Sequence, residues 1–327
     1  MGDTLAQIEA RPLRMIAMPG AHDAGMSVLT ASSDFSTSCN TQTQTVPISE
    51  QLQAGARYFD FRPVTWNGEA DFYHGHFSAF EGKYFGSIGQ SLSTAVGEIA
   101  SFLEMPACSK EVVILKLSHY TLLEKCLDTA DLVVGQPFEY ENFQALADAV
   151  LTLNQNLFTS SGSTSLNDVV LSEVTSGTSG RVMVVFDLCG GSNTGYPLSL
   201  VAPEEGCFSY NNAGSGDADL VVFDEYYGSD DLAGMDSNQQ AKFQSYSPAP
   251  GLSFLLSWTL TQTDPVLEPC ILDLANTANG ALVSAVQDWV DAETITATKI
   301  PSIVETDNLT DACVALQACV SLNYLQS

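Results

Sequence analysis

Short apolar runs and amphipathic stretches take turns along the 327 residues, and few architectures accept that order. Extended segments are expected at 14–20 (RMIAMPG), 56–64 (ARYFDFRPV), 71–77 (DFYHGHF), 111–119 (EVVILKLSH), 181–188 (RVMVVFDL), 219–227 (DLVVFDEYY), 252–260 (LSFLLSWTL) and 300–307 (IPSIVETD). Leu92, Val96, Ile99 and Leu103 recur at helical spacing, and further helices are expected near 141–157, 235–246, 276–290 and 311–324. Strand–helix repetition of this kind implies a parallel sheet. With no linker between halves, the expectation is one α/β domain over 1–327: a TIM-like (β/α)8 barrel, regular or irregular, closed or nearly closed. Barrels of that type carry their chemistry at the C-terminal strand ends. His22, Asp23, Arg62, Lys116, Asp187, Asp224, Trp258 and Asp307 all fall at such ends. The polar stretches at 159–165, 175–180 and 211–219 read as surface loops.

Charge narrows the partners. Eleven Lys and Arg stand against 39 Asp and Glu, so the formal net charge is 11 − 39 = −28. Nucleic-acid binding needs cations that displace counterions from phosphates, and this chain lacks them. Anionic bilayers should repel it too, leaving at most weak peripheral membrane contact. Charged residues are only 15% of the chain, below the roughly 25% usual in globular domains. Scarcity of Lys and Arg therefore contributes as much as abundance of acid. No apolar run reaches the roughly 18 residues of a membrane span. Asp3, Glu9, Arg11 and Arg14 interrupt the first 20 residues, which do not read as a signal peptide. The eight cysteines include no CxxC pair and suit a secreted, disulfide-bearing monomer. Cys108–Cys126 and Cys189–Cys207 are the local pairings expected, each flanking a turn-rich segment, with free buried thiols as the alternative.

Four histidines are available: His22, His74, His76 and His119. His22 and Asp23 sit on a Gly-flanked turn after an extended run, in MPGAHDAG. Asp60 and Arg62 are two apart and share one face of a strand. His74 follows twelve residues after Arg62. Two imidazoles and a guanidinium at neighbouring strand ends suit phosphodiester cleavage. One imidazole takes a proton from the attacking hydroxyl, and the other gives one to the leaving oxygen. The guanidinium holds the phosphoryl oxygens. His76 is expected at the rim or in solvent, and His119 in a loop.

These motifs, in this order, resemble the X-domain superfamily of phosphatidylinositol-specific phospholipases C. The resemblance is clear over 14–119 and looser beyond. It rests on Pro19-Gly20-Ala21-His22-Asp23, on Gly55-Ala56-Arg57-Tyr58-Phe59-Asp60-Phe61-Arg62, and on Tyr73-His74-Gly75. Metal-dependent members place His-Asn and Glu-x-Asp at the first two of these sites, whereas this chain has His22-Asp23 and Asp60-x-Arg62. The resemblance is thus to the metal-independent type, with no metal or other cofactor and with Arg62 as the phosphate clamp. It implies His22 as general base oriented by Asp307, His74 as general acid supported by Asp23, and Asp60 holding Arg62. A cyclic phosphodiester would be the first product. Asp224 and Tyr226 stand where the family contacts inositol, Lys116 where a basic residue is common, and Trp258 at a strand end close by. An arginine that some bacterial members use has no counterpart, since the 181–188 run ends at Asp187. The substrate expected is phosphatidylinositol or a related glycolipid. A soluble or non-inositol phosphodiester, a non-catalytic ligand-binding barrel, and a metal-using relative through Asp23 and Asp60 remain open.

Overall fold

The structure is a computed structural model that describes residues 4–66, 69–80, 83–123, 135–161, 165–189, 195–263, 269–310 and 313–325. Eight parallel strands close into a barrel: β1 (Met18–Ala21), β2 (Tyr58–Phe61), β3 (Val112–Leu117), β4 (Arg181–Asp187), β5 (Cys207–Asn212), β6 (Leu220–Asp224), β7 (Ser253–Ser257) and β8 (Ile303–Thr306). Neighbours in sequence are neighbours in space, and β1 pairs with β8 in register Gly20↔Glu305 to complete the ring. The expected TIM-like barrel is present and fully closed. Its strands read as unbroken apolar runs because both faces are buried. Met18, Tyr58, Ile114, Val185, Leu255 and Ile303 fill the lower interior. Alternate residues such as Phe59, Leu115, Val184, Phe254 and Val304 pack outward under the helices.

The helices are α1 (Ile48–Gln53), α2 (Leu92–Glu104), α3 (Tyr140–Leu151), α4 (Leu232–Ser245), α5 (Ile271–Asp291) and α6 (Val314–Tyr324). Among the described residues, β5 and β6 have no helix between them, and only the one-turn 3-10 segment Leu198–Leu200 lies between β4 and β5. The ring of helices is therefore irregular. Helix α1 ends where Gly55 takes φ +108°. Ala56 N–H then bonds Gln51 O at 2.9 Å and Gly55 N–H bonds Leu52 O at 3.2 Å, the double bond that closes a helix with a left-handed residue. Only glycine adopts that geometry without strain, and the turn delivers β2 directly.

Two expectations about elements need correction. The 71–77 segment is extended, but it belongs to Phe72–Phe80 in a second, six-stranded sheet rather than to the barrel. That sheet grows from the segments that follow β1, β2 and β3, and its longest pairing joins Phe72–Phe80 to Lys83–Ser91. The eighth barrel strand is instead Cys207–Asn212, part of which fell within an expected loop.

The chain does carry a disulfide, but not in the local pairings expected. Cys189 and Cys207 are both free, one exposed and one buried, so they do not pair. Cys108 is free, and Cys126 lies outside the described residues. The disulfide observed among the described residues is Cys39–Cys270, across 231 residues. It ties the segment after β1 to the N-cap of α5. Replacing both cysteines by serine is expected to lower unfolding stability by about 2–5 kcal/mol in denaturant titrations, because a long loop is released in the unfolded chain. No described helix is long and apolar enough to cross a membrane.

Candidate active site

Side chains on a strand alternate between faces, so each inward apolar residue of the lower layer is followed two positions later by an inward residue nearer the C-terminal mouth. In that upper layer stand Gly20, Asp60, Lys116, Asp187, Ser257 and Glu305. All but Gly20 line a cavity of about 860 Å³ at the barrel mouth, together with His22, Arg62, His76 and Asp307.

His22 follows β1 directly, and its backbone N–H bonds Thr306 O at 3.1 Å. Its Nδ1 lies 2.8 Å from Asp307 Oδ1, and Arg62 Nη2 donates to its Nε2 at 2.8 Å. Burial pushes His22 toward the neutral form, while Asp23 and Asp307 pull its pKa upward and Arg62 opposes them. The contact with Arg62 demands the reverse at Nε2. A guanidinium does not lose its proton, so at hydrogen-bond distance Nε2 must be an unprotonated acceptor. We therefore assign neutral His22 with its proton on Nδ1, facing Asp307. Asp23 and Asn308, which directly follow His22 and Asp307, both have positive φ (43° and 49°). Asp and Asn tolerate that region best among residues with side chains.

Arg62 sits between two carboxylates, with Nε 2.9 Å from Asp23 Oδ1 and 3.0 Å from Asp60 Oδ2. Burial would raise both carboxyls, yet Arg62 overrides it and holds each well below its usual range. Ser118 Oγ also donates to Asp60 Oδ1 at 3.1 Å.

His74 is fully buried and does not face the cavity. Arg62 N–H donates to its Nδ1 at 3.3 Å, which leaves Nε2–H to donate to Asp23 Oδ1 at 3.0 Å. Burial, its largest influence, keeps this imidazole neutral. Gly25 packs on it so closely that a Cβ there would lie 2.4 Å from His74 Cβ. His76, two residues on, does line the cavity. Its Nδ1–H donates to Thr41 O at 2.9 Å, and its Nε2 lies 3.9 Å from Asp23 Oδ2. That oxygen is buried without a hydrogen-bond partner.

Across the mouth, Lys116 Nζ is 3.0 Å from Asp224 Oδ2, and Tyr210 O–H donates to the same oxygen at 2.7 Å. Tyr226 is a 67% exposed residue on the cavity rim. Trp258 is not brought to the cavity: it is buried outside the barrel, and its indole N–H donates to Ala278 O at 2.7 Å. His119, expected in a loop, lines the cavity from a position of φ +55° just after β3. Burial is the main reason its pKa falls to about 4.

His22, Asp23 and Asp60 could each offer an atom within 4.8 Å of the others, a cluster that would suit a metal ion. The Arg62 guanidinium already lies against both carboxylates, so the residues present do not fit a metal there without displacing it.

No protein-family model and no curated protein sequence matches the chain. Its three-dimensional structure is similar to the phosphatidylinositol-specific phospholipase C of Listeria monocytogenes, with TM-score 0.58 and 16% identity over 96% of this chain and 95% of that one. A structure of the Staphylococcus aureus phosphatidylinositol-specific phospholipase C gives TM-score 0.59 and 16% identity, covering 94% of each chain. The fold is thus the barrel of bacterial phosphatidylinositol-specific phospholipases C. At this identity the likeness is one of fold, and function has to be argued from the site.

Glu305 and His76 are among the cavity residues that escaped sequence reading as site groups. Glu305 lies two before Asp307, and His76 two after His74. The same period of two that aligned Asp60 with Arg62 was available for both.

Proposed function

We propose that the protein is a phosphodiesterase that cleaves phosphatidylinositol or a related polyol phosphodiester by internal hydroxyl attack. The observation that carries this reading is the Asp307–His22–Arg62 contact chain at the cavity mouth. When a phosphodiester enters, its anionic oxygen offers Arg62 a better acceptor than an imidazole, and Nε2 of His22 is released. His22 then takes the proton of a head-group hydroxyl next to the phosphate. The new O–P bond forms as the P–O bond to the leaving alcohol breaks, giving a cyclic phosphodiester. Asp307 holds the tautomer, and Asp60 holds Arg62.

The leaving oxygen needs a proton, which the family resemblance would draw from His74. The geometry favours His76 for this step, because it faces the cavity while His74 is enclosed and spends both ring nitrogens on Arg62 and Asp23. In this reading His74 positions Asp23, whose Oδ2 lies 3.9 Å from His76 Nε2. Lys116, Asp224 and Tyr226 would meet the head group. The Cys39–Cys270 disulfide supports an extracellular setting. A soluble phosphodiester fits the same chemistry, and the net charge of −28 favours substrates that do not demand tight binding to anionic bilayers.

Phosphorus NMR of a phosphodiester panel in EDTA is the test. A cyclic phosphate is expected first, without added metal; an acyclic monoester from the earliest time points, or strict dependence on calcium, would overturn the scheme. In the same assay His76→Ala should lose about 10²–10³-fold on an alkyl leaving group and little on a nitrophenol one, which needs no acid. Equal losses on both would remove His76 from that role.

A further inference from the structure

Every other carboxyl of the inner site has a partner. Asp60 has Arg62 and Ser118, Asp224 has Lys116 and Tyr210, and Asp307 has His22. Among the described residues, Arg62 and Lys116 are the Lys and Arg that line the cavity, and those pairings use both. Glu305 is left over. It is 6% exposed, it lines the cavity, and among the described residues its side chain makes no hydrogen bond or ion pair. Its register partners are Gly20 on β1 and Ser257 on β7. Gly20 brings no side chain that could pair with it, and a Cβ there would lie 3.3 Å from Glu305 Cα. The proposed reaction does not use Glu305.

We propose that Glu305 reads the head group: as a neutral carboxylic acid it donates to one hydroxyl oxygen of a polyol and accepts from a neighbouring hydroxyl. This rests on the phosphodiesterase reading above. The groups facing it are His22 beyond β1, Tyr58, Asp60 and Arg62 on and beyond β2, Lys116 on β3 and Asp224 on β6. Burial comes first, and Asp60 and Asp224 then add to it, raising the pKa of Glu305 to about 8 against the pull of Lys116; His22, neutral as assigned above, does not oppose it. Near pH 7 the group is protonated. A protonated acid offers one donor and one acceptor, which matches adjacent hydroxyls, and it does not repel the phosphate. Above about pH 8 it would ionise and repel the substrate.

The linkage has a definite sign. The folded value lies above the unfolded value of 4.5, so the unfolded chain releases this proton first. Stability is lost as pH rises from about 4.5 to 8 and is flat beyond, as far as this group is concerned. Glu305→Gln should therefore melt higher than the wild type above pH 6, with a gap that stops growing near pH 8.

Two phosphodiesters separate recognition from chemistry: one with a cyclic hexol head group, and one with a 2-hydroxyethyl head group that keeps only the attacking hydroxyl. Glu305→Leu is expected to lose at least about tenfold in kcat/KM on the hexol substrate and less than about threefold on the other. Glu305→Gln should stay within about threefold on the hexol at pH 6.5 and lose the alkaline fall-off centred near pH 8. Similar losses on both substrates, or none on either, would overturn the assignment. Infrared titration should show a protonated-carboxyl band in the wild type that vanishes near pH 8 and is missing in Glu305→Gln; a group already ionised at pH 6.5 would overturn it too. If the wild type cleaves neither substrate, the phosphodiesterase reading fails separately. Titration with free myo-inositol then still decides Glu305, since the leucine variant should bind at least about tenfold more weakly, and equal affinity would refute the proposal.

Discussion

His22→Ala is expected to lower kcat by about 10⁴-fold with little change in KM, because the substitution removes the proposed base and leaves the proposed phosphate clamp. His22 is 24% exposed, so its removal opens the cavity wall to water rather than hollowing the core. Arg62 loses one acceptor and keeps Asp23 and Asp60. A melting temperature close to wild type would confirm that the loss is chemical. Asp307→Asn is the companion variant. An asparagine amide turned toward Nδ1 would favour the opposite tautomer, with the proton on Nε2 where the substrate hydroxyl must deliver its own. That variant should fall by about 10³–10⁴-fold although its side chain has the same shape. Wild-type turnover in His22→Ala would end the catalytic assignment.

The second large effect is expected at Arg62. Lysine keeps the charge but offers a single point in place of a planar fork. It cannot touch Asp23, Asp60 and a phosphoryl oxygen together, so Arg62→Lys should lose about 10²–10³-fold in kcat. Arg62→Gln goes further. Asp23 is fully buried and Asp60 nearly so, and neither would retain its guanidinium partner. Stripping one partner from such a group costs about 3–5 kcal/mol, which a denaturant titration would register directly. A lysine variant with wild-type turnover would show that the fork plays no part in the reaction.

The barrel was legible because strands buried on both faces leave unbroken apolar runs, as in Val112–Leu117. Cys207–Asn212 was not. Its sequence CFSYNN carries polar residues on both faces, since Ser209 is held by Asp219 and Asn212 faces the cavity. The Phe72–Phe80 segment looked like a barrel strand because its partner, Lys83–Ser91, has Gly86 and Gly89 where β-branched residues would have announced a hairpin. At Gly86 a Cβ would lie 2.0 Å from His76 O, so close packing rather than strand propensity selects that residue. The disulfide escaped because nearness in sequence is a poor guide when a ring brings its first and eighth strands together. A two-residue spacing showed that Asp60 and Arg62 share a face, while the same spacing of Glu305 with Asp307 and of His76 with His74 went unread as a sign of site groups. What the sequence could not convey was depth: His74 and His76 share a face, yet one is enclosed and the other lines the cavity.

The seam between β1 and β8 has a consequence for how the molecule comes into being. His22 and Asp307 are 285 residues apart and meet only across that seam. In the proposed mechanism, a chain still emerging from the ribosome would carry Arg62 long before it carries the Asp307 that orients His22. Catalytic competence would then switch on only after β8 has been synthesised and docked, so partly made chains and fragments ending before β8 should be inert.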